Sequence, residues 1–228
     1  MTITFQILTA LAFLLSCRVY LVLPTSCHPK PPRRYSNKCS LAIFLGSGGH
    51  TSEALMLTSA LDLTRYAPRT YIISEGDTLS AKKAIAFEIH LQAAEPTPQD
   101  YRILRIPRAR RVHQSLLTVP PTFMHSLLAC IHLVTISPLL GRGTIGAPFV
   151  DLLILNGPGT CVTLCAAIVL NKLIGLPSPK MIYVESFARV ESLSLTGRIL
   201  RHVVDRFIVQ WPGLLSADGR EECYGCLV

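Results

Sequence analysis

Hydrophobic positions in this chain gather into one long stretch at the start and then into short runs that alternate with helical patterns. Leu41–Leu45, Arg69–Ile73, Tyr101–Ile106, Asp151–Asn156, Lys180–Glu185 and Arg206–Gln210 are short, largely apolar runs that read as strands. Residues 51–62, Thr78 to about His90, Cys161–Leu173 and Thr196–Val204 carry apolar side chains three and four apart, the helical period. Pro68 breaks the first of these helices and Gly175 closes the third. Buried strand runs alternating with helices predict an α/β fold, a Rossmann-like parallel sheet with helices on both faces.

Residues 2–23 are almost wholly apolar, interrupted by Arg18 and ended by Pro24. As a helix they can cross a hydrocarbon core of roughly 30 Å. A cleaved signal peptide is the rival reading. No Lys or Arg precedes the run and no small-x-small site follows it, so a transmembrane anchor is expected. Lys30, Arg33, Arg34 and Lys38 lie on its C-terminal side, which leaves the body in the cytosol. Arg18 can snorkel to that same interface. The layout expected is an anchor at 1–23, a basic juxtamembrane linker at 24–40 and one domain at 41–228. Residues 116–140 admit two readings. After a Pro120-Pro121 break, the run from Phe123 to Leu140 is either an amphipathic helix on the bilayer or an ordinary buried crossover helix.

Candidate chemistry collects where strands end. Gly46-Ser47-Gly48-Gly49-His50 follows the first strand, and a helix opens at Thr51 or Ser52. Strand, glycine turn and helix start together aim backbone N–H groups and a helix dipole at an anion. Glycine lets the backbone approach such a ligand closely. His50 is the one side chain at this lip that can exchange a proton near neutral pH. Glu53, in the first helical turn, favours the helix but would repel an anion placed too close. The dinucleotide fingerprint fails because Thr51 stands where a third glycine is needed, and the P-loop fails for want of Gly-Lys-Ser/Thr. Asn156-Gly157-Pro158-Gly159-Thr160 repeats the arrangement after the fourth strand. In parallel sheets ligands sit at the carboxyl ends of the strands, where His50, Asn156–Thr160, Glu185 and Ser186 all fall.

Composition sharpens this picture. Half of the 228 residues are hydrophobic, high for a fully soluble protein, and the formal charge is +8. That charge belongs to the linker and to Arg102, Arg105, Arg108, Arg110 and Arg111, leaving the rest close to neutral. Basic patches of this kind suit lipid headgroups or phosphorylated substrates. No aromatic residues interleave with the arginines, which argues against nucleic acid. The eight cysteines are irregularly spaced and read as reduced thiols; Cys223 and Cys226 lack the second pair that a zinc site needs. His125 and His132 share a helix face without a third ligand. No metal and no cofactor are expected.

Four blocks, Leu45-Gly-Ser-Gly-Gly-His-Thr-Ser-Glu53, Asn156-Gly-Pro-Gly-Thr160, Tyr183-Val-Glu-Ser-Phe-Ala-Arg189 and Arg206-Phe-Ile-Val-Gln-Trp-Pro212, carry a resemblance from about Leu41 to the C-terminus. Together they resemble the membrane-anchor subunit of the UDP-N-acetylglucosamine transferase of dolichol-linked oligosaccharide synthesis. That resemblance implies the acceptor-side half of a split GT-B glycosyltransferase on the cytosolic face of the endoplasmic reticulum, inactive alone. A soluble subunit would supply the UDP-sugar half and be recruited to the membrane by this one. The pair would add the second N-acetylglucosamine to dolichyl-diphosphate-N-acetylglucosamine. On this reading Gly46, Ser47, Gly48, Gly49, Thr51, Asn156, Gly157, Gly159 and Thr160 hold the acceptor diphosphate. His50 is the first candidate for the base and Glu185 the second, Glu185 alternatively orienting its loop or pairing with Arg189. The five arginines would meet headgroups. The tail from Glu221 falls where the family's C-terminal segment packs on the partner, or is a frayed end. Two rival functions stand beside this one: a pure membrane tether with no part in chemistry, and a nucleotide-dependent oxidoreductase, which the missing third glycine disfavours.

Overall fold

Among the described residues every strand lies parallel to its neighbours, and near-continuous apolar runs such as Leu41–Leu45 suit that arrangement, since they must be covered on both faces. The computed structural model describes residues 2–23, 38–94, 100–110, 114–141 and 147–227. Seven strands, β1 Leu41–Leu45, β2 Arg69–Ser74, β3 Tyr101–Ile106, β4 Leu152–Asn156, β5 Lys180–Val184, β6 Arg206–Val209 and β7 Glu221–Cys223, form one sheet in the order β3-β2-β1-β4-β5-β6-β7. The chain winds outward from β1 through β2 to β3, then crosses back to place β4 on the other side of β1. The β1–β4 seam is therefore the switch point of the sheet. The predicted α/β fold class, with helices on both faces, is the one observed.

Side-chain alternation along β1 divides the core in two. Leu41, Ile43 and Leu45 pack with Ala54 and Leu55 of α2 (Gly49–Ser59) and with Ala81 and Ala84 of α3 (Thr78–Ala94). Ala42 and Phe44 face the opposite side, with Cys130 of α4 (Val119–Ile131), Val134 beyond it, and Cys161, Leu164 and Ile168. α4 runs through a π turn, His132–Ile136, into α5 (Ser137–Gly141). α6 (Thr160–Ile174) carries the last three of those core residues, and α7 (Leu195–Leu200) follows β5. At the π turn, Asn171 of α6 donates to the Val134 carbonyl (3.2 Å) and accepts from the Thr135 hydroxyl (2.6 Å), so the neighbouring helix holds the widened turn.

Three expectations shift in detail. Pro120 and Pro121 do not break a helix: they occupy its first turn, where the missing N–H costs nothing. The α4–α5 unit is a crossover from β3 to β4 with Ser126, Cys130 and Val134 buried, yet Met124, Leu128, Leu139 and Leu140 stand exposed. The tail is a strand, since β7 pairs with β6 from Phe207↔Glu221 to Val209↔Cys223. Ahead of the body, α1 (Thr2–Val22) spans the predicted anchor, and Phe5, Leu8, Phe13, Leu14 and Leu21 are exposed along it. Its 21 residues are long enough and apolar enough to cross a membrane. Most of the predicted linker, 24–37, lies outside the described residues.

One ion pair is sealed beneath α3. Arg69 donates to both Glu88 oxygens at 2.7 Å, and the Tyr71 hydroxyl adds a third hydrogen bond at 2.6 Å. Burial alone would lower the Arg69 pKa, but the Glu88 hydrogen bonds and charge outweigh it and hold it above its ordinary value. Burial, and then the same carboxylate, push Tyr71 up, which keeps it a neutral donor. Glu88→Ala strands a buried guanidinium and should cost about 3–5 kcal/mol, read as a lower urea midpoint of the full chain in detergent.

Candidate functional site

The seam between β1 and β4 ends in two turns that touch through their backbones. Leu45 and Asn156 are register partners, so both turns leave the sheet at the same height. A Cβ on Gly46 would meet His50 Cβ at 2.8 Å, Pro158 Cδ at 2.9 Å and the Asn156 carbonyl at 3.1 Å. Gly157 has φ +142°, and a Cβ there would meet Gly46 Cα at 3.1 Å. Packing therefore demands glycine at 46 and 157. It does not demand it at 49 or 159, where a Cβ would meet nothing within 4 Å. Ser47, Gly48, Gly49 and Gly159 are exposed. Gly48, with φ +67°, turns the chain into α2.

α2 and α6 start side by side above this seam, and neither is capped by a side chain. The α2 start is the more open: in α6 the Cys161 and Val162 amides are already bound by the Pro158 and Gly159 carbonyls at 3.0 Å. Open N–H groups at a helix start, with the dipole behind them, favour an anion.

His50 Nδ1 lies 2.9 Å from Asn156 Oδ1. With the amide oxygen as acceptor, Nδ1 carries a proton, and in the neutral ring Nε2 is then the acceptor. Asn156 is fully buried, and its Nδ2 has no hydrogen-bond partner. A buried amide nitrogen left unpaired at a strand end is a donor waiting for an acceptor.

Glu53 resolves the tension seen in the sequence. Its Oε1 accepts from the Phe187 amide (2.6 Å) and Gln210 Nε2 (2.7 Å), and its Oε2 from the Ser186 hydroxyl (3.1 Å). The carboxylate is thus turned toward the ends of β5 and β6, with His50 Nδ1 at 3.9 Å. Gln210 also donates to the Glu185 carbonyl (3.1 Å) and accepts from the Leu227 amide (3.2 Å), which ties the tail to the same edge. Nothing in the sequence marks Gln210 for this role. Glu53 carried one signal, its place one turn after the glycines.

The remaining candidates separate. Glu185 is buried, and its oxygens accept from the Ser186 amide (3.1 Å) and from the Ser194 amide and hydroxyl (both 3.0 Å). Gly197 lies so close that a Cβ there would meet Glu185 Oε2 at 2.1 Å. The Ser194 hydroxyl in turn caps α7. In this arrangement Glu185 shapes its own loop. Beneath it, burial and then the charge of Glu185 push the Tyr183 phenol up, and its hydroxyl faces the Gly157 carbonyl at 3.4 Å. Thr51 is buried, its hydroxyl bonded to the Gly46 carbonyl and to Ser80 Oγ, so only its backbone is left for a ligand. Thr160 is also buried, and its hydroxyl accepts from the Ala109 amide at 3.3 Å.

The arginines do not form one patch. Arg102 and Arg105 alternate to opposite faces of the edge strand β3, Arg102 lying over Phe149. Arg108 and Arg110 flank Ala109, next to the second glycine turn. Arg111 lies outside the described residues.

A family model described as "Oligosaccharide biosynthesis protein Alg14 like" matches residues 41–227. The chain is 43% identical over 210 residues to the UDP-N-acetylglucosamine transferase subunit ALG14 of Cryptococcus neoformans var. neoformans serotype D, covering 92% of this chain and 90% of that protein. It is 41% identical over 219 residues to the subunit of the same name from Schizosaccharomyces pombe, covering 96% and 97%. Among solved structures, MurG of Acinetobacter baumannii aligns with a TM-score of 0.48 at 16% identity, over 83% of this chain and 45% of that one.

The glycines sort into a testable pair. Gly49→Ala should leave thermal stability within about 1 kcal/mol of the parent while weakening pyrophosphate binding roughly tenfold. Gly157→Ala should lose about 1–3 kcal/mol of stability through strain and contact with Gly46.

Proposed function

This chain belongs to the Alg14 family and is a UDP-N-acetylglucosamine transferase subunit of oligosaccharide biosynthesis, and we propose that its part is to bind the lipid-linked acceptor at the β1–β4 seam. The acceptor is dolichyl-diphosphate-N-acetylglucosamine, and the step is addition of the second N-acetylglucosamine. The observation that carries this reading is the juxtaposition of an open helix start, glycines without steric need at 49 and 159, and the unpaired Asn156 Nδ2. An acceptor diphosphate calls for such donors, and a group approaching that closely leaves no room for side chains at those positions.

In this scheme Gly48, Gly49 and the Thr51 amide hold the diphosphate, with Gly159 and Asn156 Nδ2 on its other side. Arg108 and Arg110 add positive charge beside the second turn. The acceptor sugar then projects over His50. Its hydroxyl oxygen attacks the anomeric carbon of the donor sugar, the bond from that carbon to UDP breaks, and the hydroxyl proton passes to His50 Nε2. Asn156 Oδ1 supports this by keeping the other ring nitrogen protonated. Glu53 holds the α2 start against the β5 and β6 ends, and Glu185 keeps the loop between β5 and α7 in place.

The donor half lies on a soluble partner subunit, which this chain recruits; together they make one GT-B transferase. α1 is the single membrane span in this scheme, with the body on the cytosolic face of the endoplasmic reticulum. A tether alone would serve recruitment but has no use for a prepared imidazole at an anion-binding edge.

His50→Ala separates the two functions. Co-expressed with the partner and assayed with UDP-N-acetylglucosamine, the variant should recruit the partner normally and lose about 100-fold in kcat. Unchanged turnover would leave the tether as the better account.

A further inference from the structure

Arg18 is the one charge within α1, set a single turn from that helix's C-terminal end. A lone arginine in such a helix would ordinarily reach out to water. Here it reaches to the body. Its Nε donates to the Leu173 carbonyl at 2.9 Å and its Nη2 to the Lys172 carbonyl at 2.8 Å. Those are carbonyls of the last turn of α6.

That turn is built to receive it. α6 closes on Gly175 in the left-handed region, with the Leu176 amide bound to the Asn171 carbonyl (2.8 Å) and the Gly175 amide to the Lys172 carbonyl (3.3 Å). This closure leaves the Leu173 carbonyl without a backbone donor, and Arg18 Nε supplies one. The guanidinium also meets the negative end of the helix dipole. The turn itself calls for glycine at 175, with φ +81°, and a Cβ there would make only ordinary contact with Arg18 Nη2, at 3.4 Å. The Lys172 side chain is engaged elsewhere, on Asp205 at 2.8 Å, so it does not compete for the carbonyls.

We propose that Arg18 docks the cytosolic body onto its own transmembrane helix, with α6 as the strut that sets the acceptor site above the bilayer. α6 begins at Thr160, beside the glycine turns, and ends at the arginine. Its 15 residues span roughly 22 Å. A fixed strut of that length presents the seam at one height and tilt to a diphosphate whose lipid tail stays in the membrane. Released from the strut, the body would still fold and still carry out transfer, but would meet membrane-held acceptor less often. A lysine keeps the charge but lacks the fork that binds two carbonyls at once.

The consequence for transfer rests on the acceptor-binding reading above, and the contact itself does not, so the test has two arms. In phosphatidylcholine–phosphatidylethanolamine liposomes with the partner subunit, Arg18→Leu should raise KM for dolichyl-diphosphate-N-acetylglucosamine roughly tenfold. With a water-soluble short-chain prenyl diphosphate carrying the same sugar, kcat/KM should stay within about twofold of the parent. Arg18→Lys should recover part of the loss. Hydrogen exchange of the full chain in the same liposomes should show the Gly175 and Leu176 amides exchanging about tenfold faster in Arg18→Leu. Equal loss on both acceptors, or no loss on either, overturns the strut; unchanged exchange overturns the docking contact. A parent complex inactive on both acceptors would refute the acceptor-binding reading, and the exchange arm would still decide the docking.

Discussion

The whole edge depends on how closely two backbones approach. Gly46 and Gly157 meet with no room for a Cβ on either, and that contact brings the ends of β1 and β4 together with their helices rising from one spot. Move the turns apart and the consequences run together. The His50–Asn156 hydrogen bond lengthens, the two helix starts no longer share one edge, and Glu53 loses its line to β5 and β6. Close packing leaves no soft way to absorb an added methyl group at such a point.

Around that contact the polar groups divide into those that hold the fold and those left for chemistry. Arg69 with Glu88 and Thr51 with Ser80 are buried and bonded to one another, and buried Glu185 is bonded to half-buried Ser194. Buried polar groups of this kind fix one arrangement because each would be costly unpaired. Asn156 differs, with its oxygen on His50 and its nitrogen unpaired at the seam. The same economy runs along α6, which starts at the second glycine turn and ends where Arg18 closes its last carbonyls. One helix thereby links the apolar helix α1 to the edge where, in the proposed scheme, a lipid diphosphate would sit.

Much of this was legible in the residues alone, for a physical reason. Strand runs such as Leu41–Leu45 and Asp151–Asn156 are apolar on both faces, and the glycines after each can only mark tight turns, so sheet, seam and candidate edge follow from local pattern. What stayed hidden depends on side-chain direction or on distant partners. Glu53 looked like a threat to an anion until its oxygens were seen on Phe187, Ser186 and Gln210, the last 157 positions away. Glu185 sits at a strand end as a catalytic carboxylate would, yet Ser194 and Gly197 enclose it. The arginines cluster in sequence, but strand alternation sends Arg102 and Arg105 apart. β7 was illegible because Glu221-Glu-Cys223 is short and charged, and only pairing with β6 makes it a strand. Pro120 and Pro121 read as a break because proline starts helices as readily as it ends them.

The central claim is that the diphosphate of a lipid-linked acceptor lies against the two glycine turns of this chain. The most direct measurement is photocrosslinking of the full chain with its partner in liposomes, using an acceptor that carries a diazirine next to the diphosphate, followed by peptide mapping. The account predicts label on the peptides containing Gly46–Thr51 and Asn156–Thr160, removed by excess unmodified acceptor. Label confined to the partner subunit, or to surfaces of this chain away from the β1–β4 seam, would contradict it.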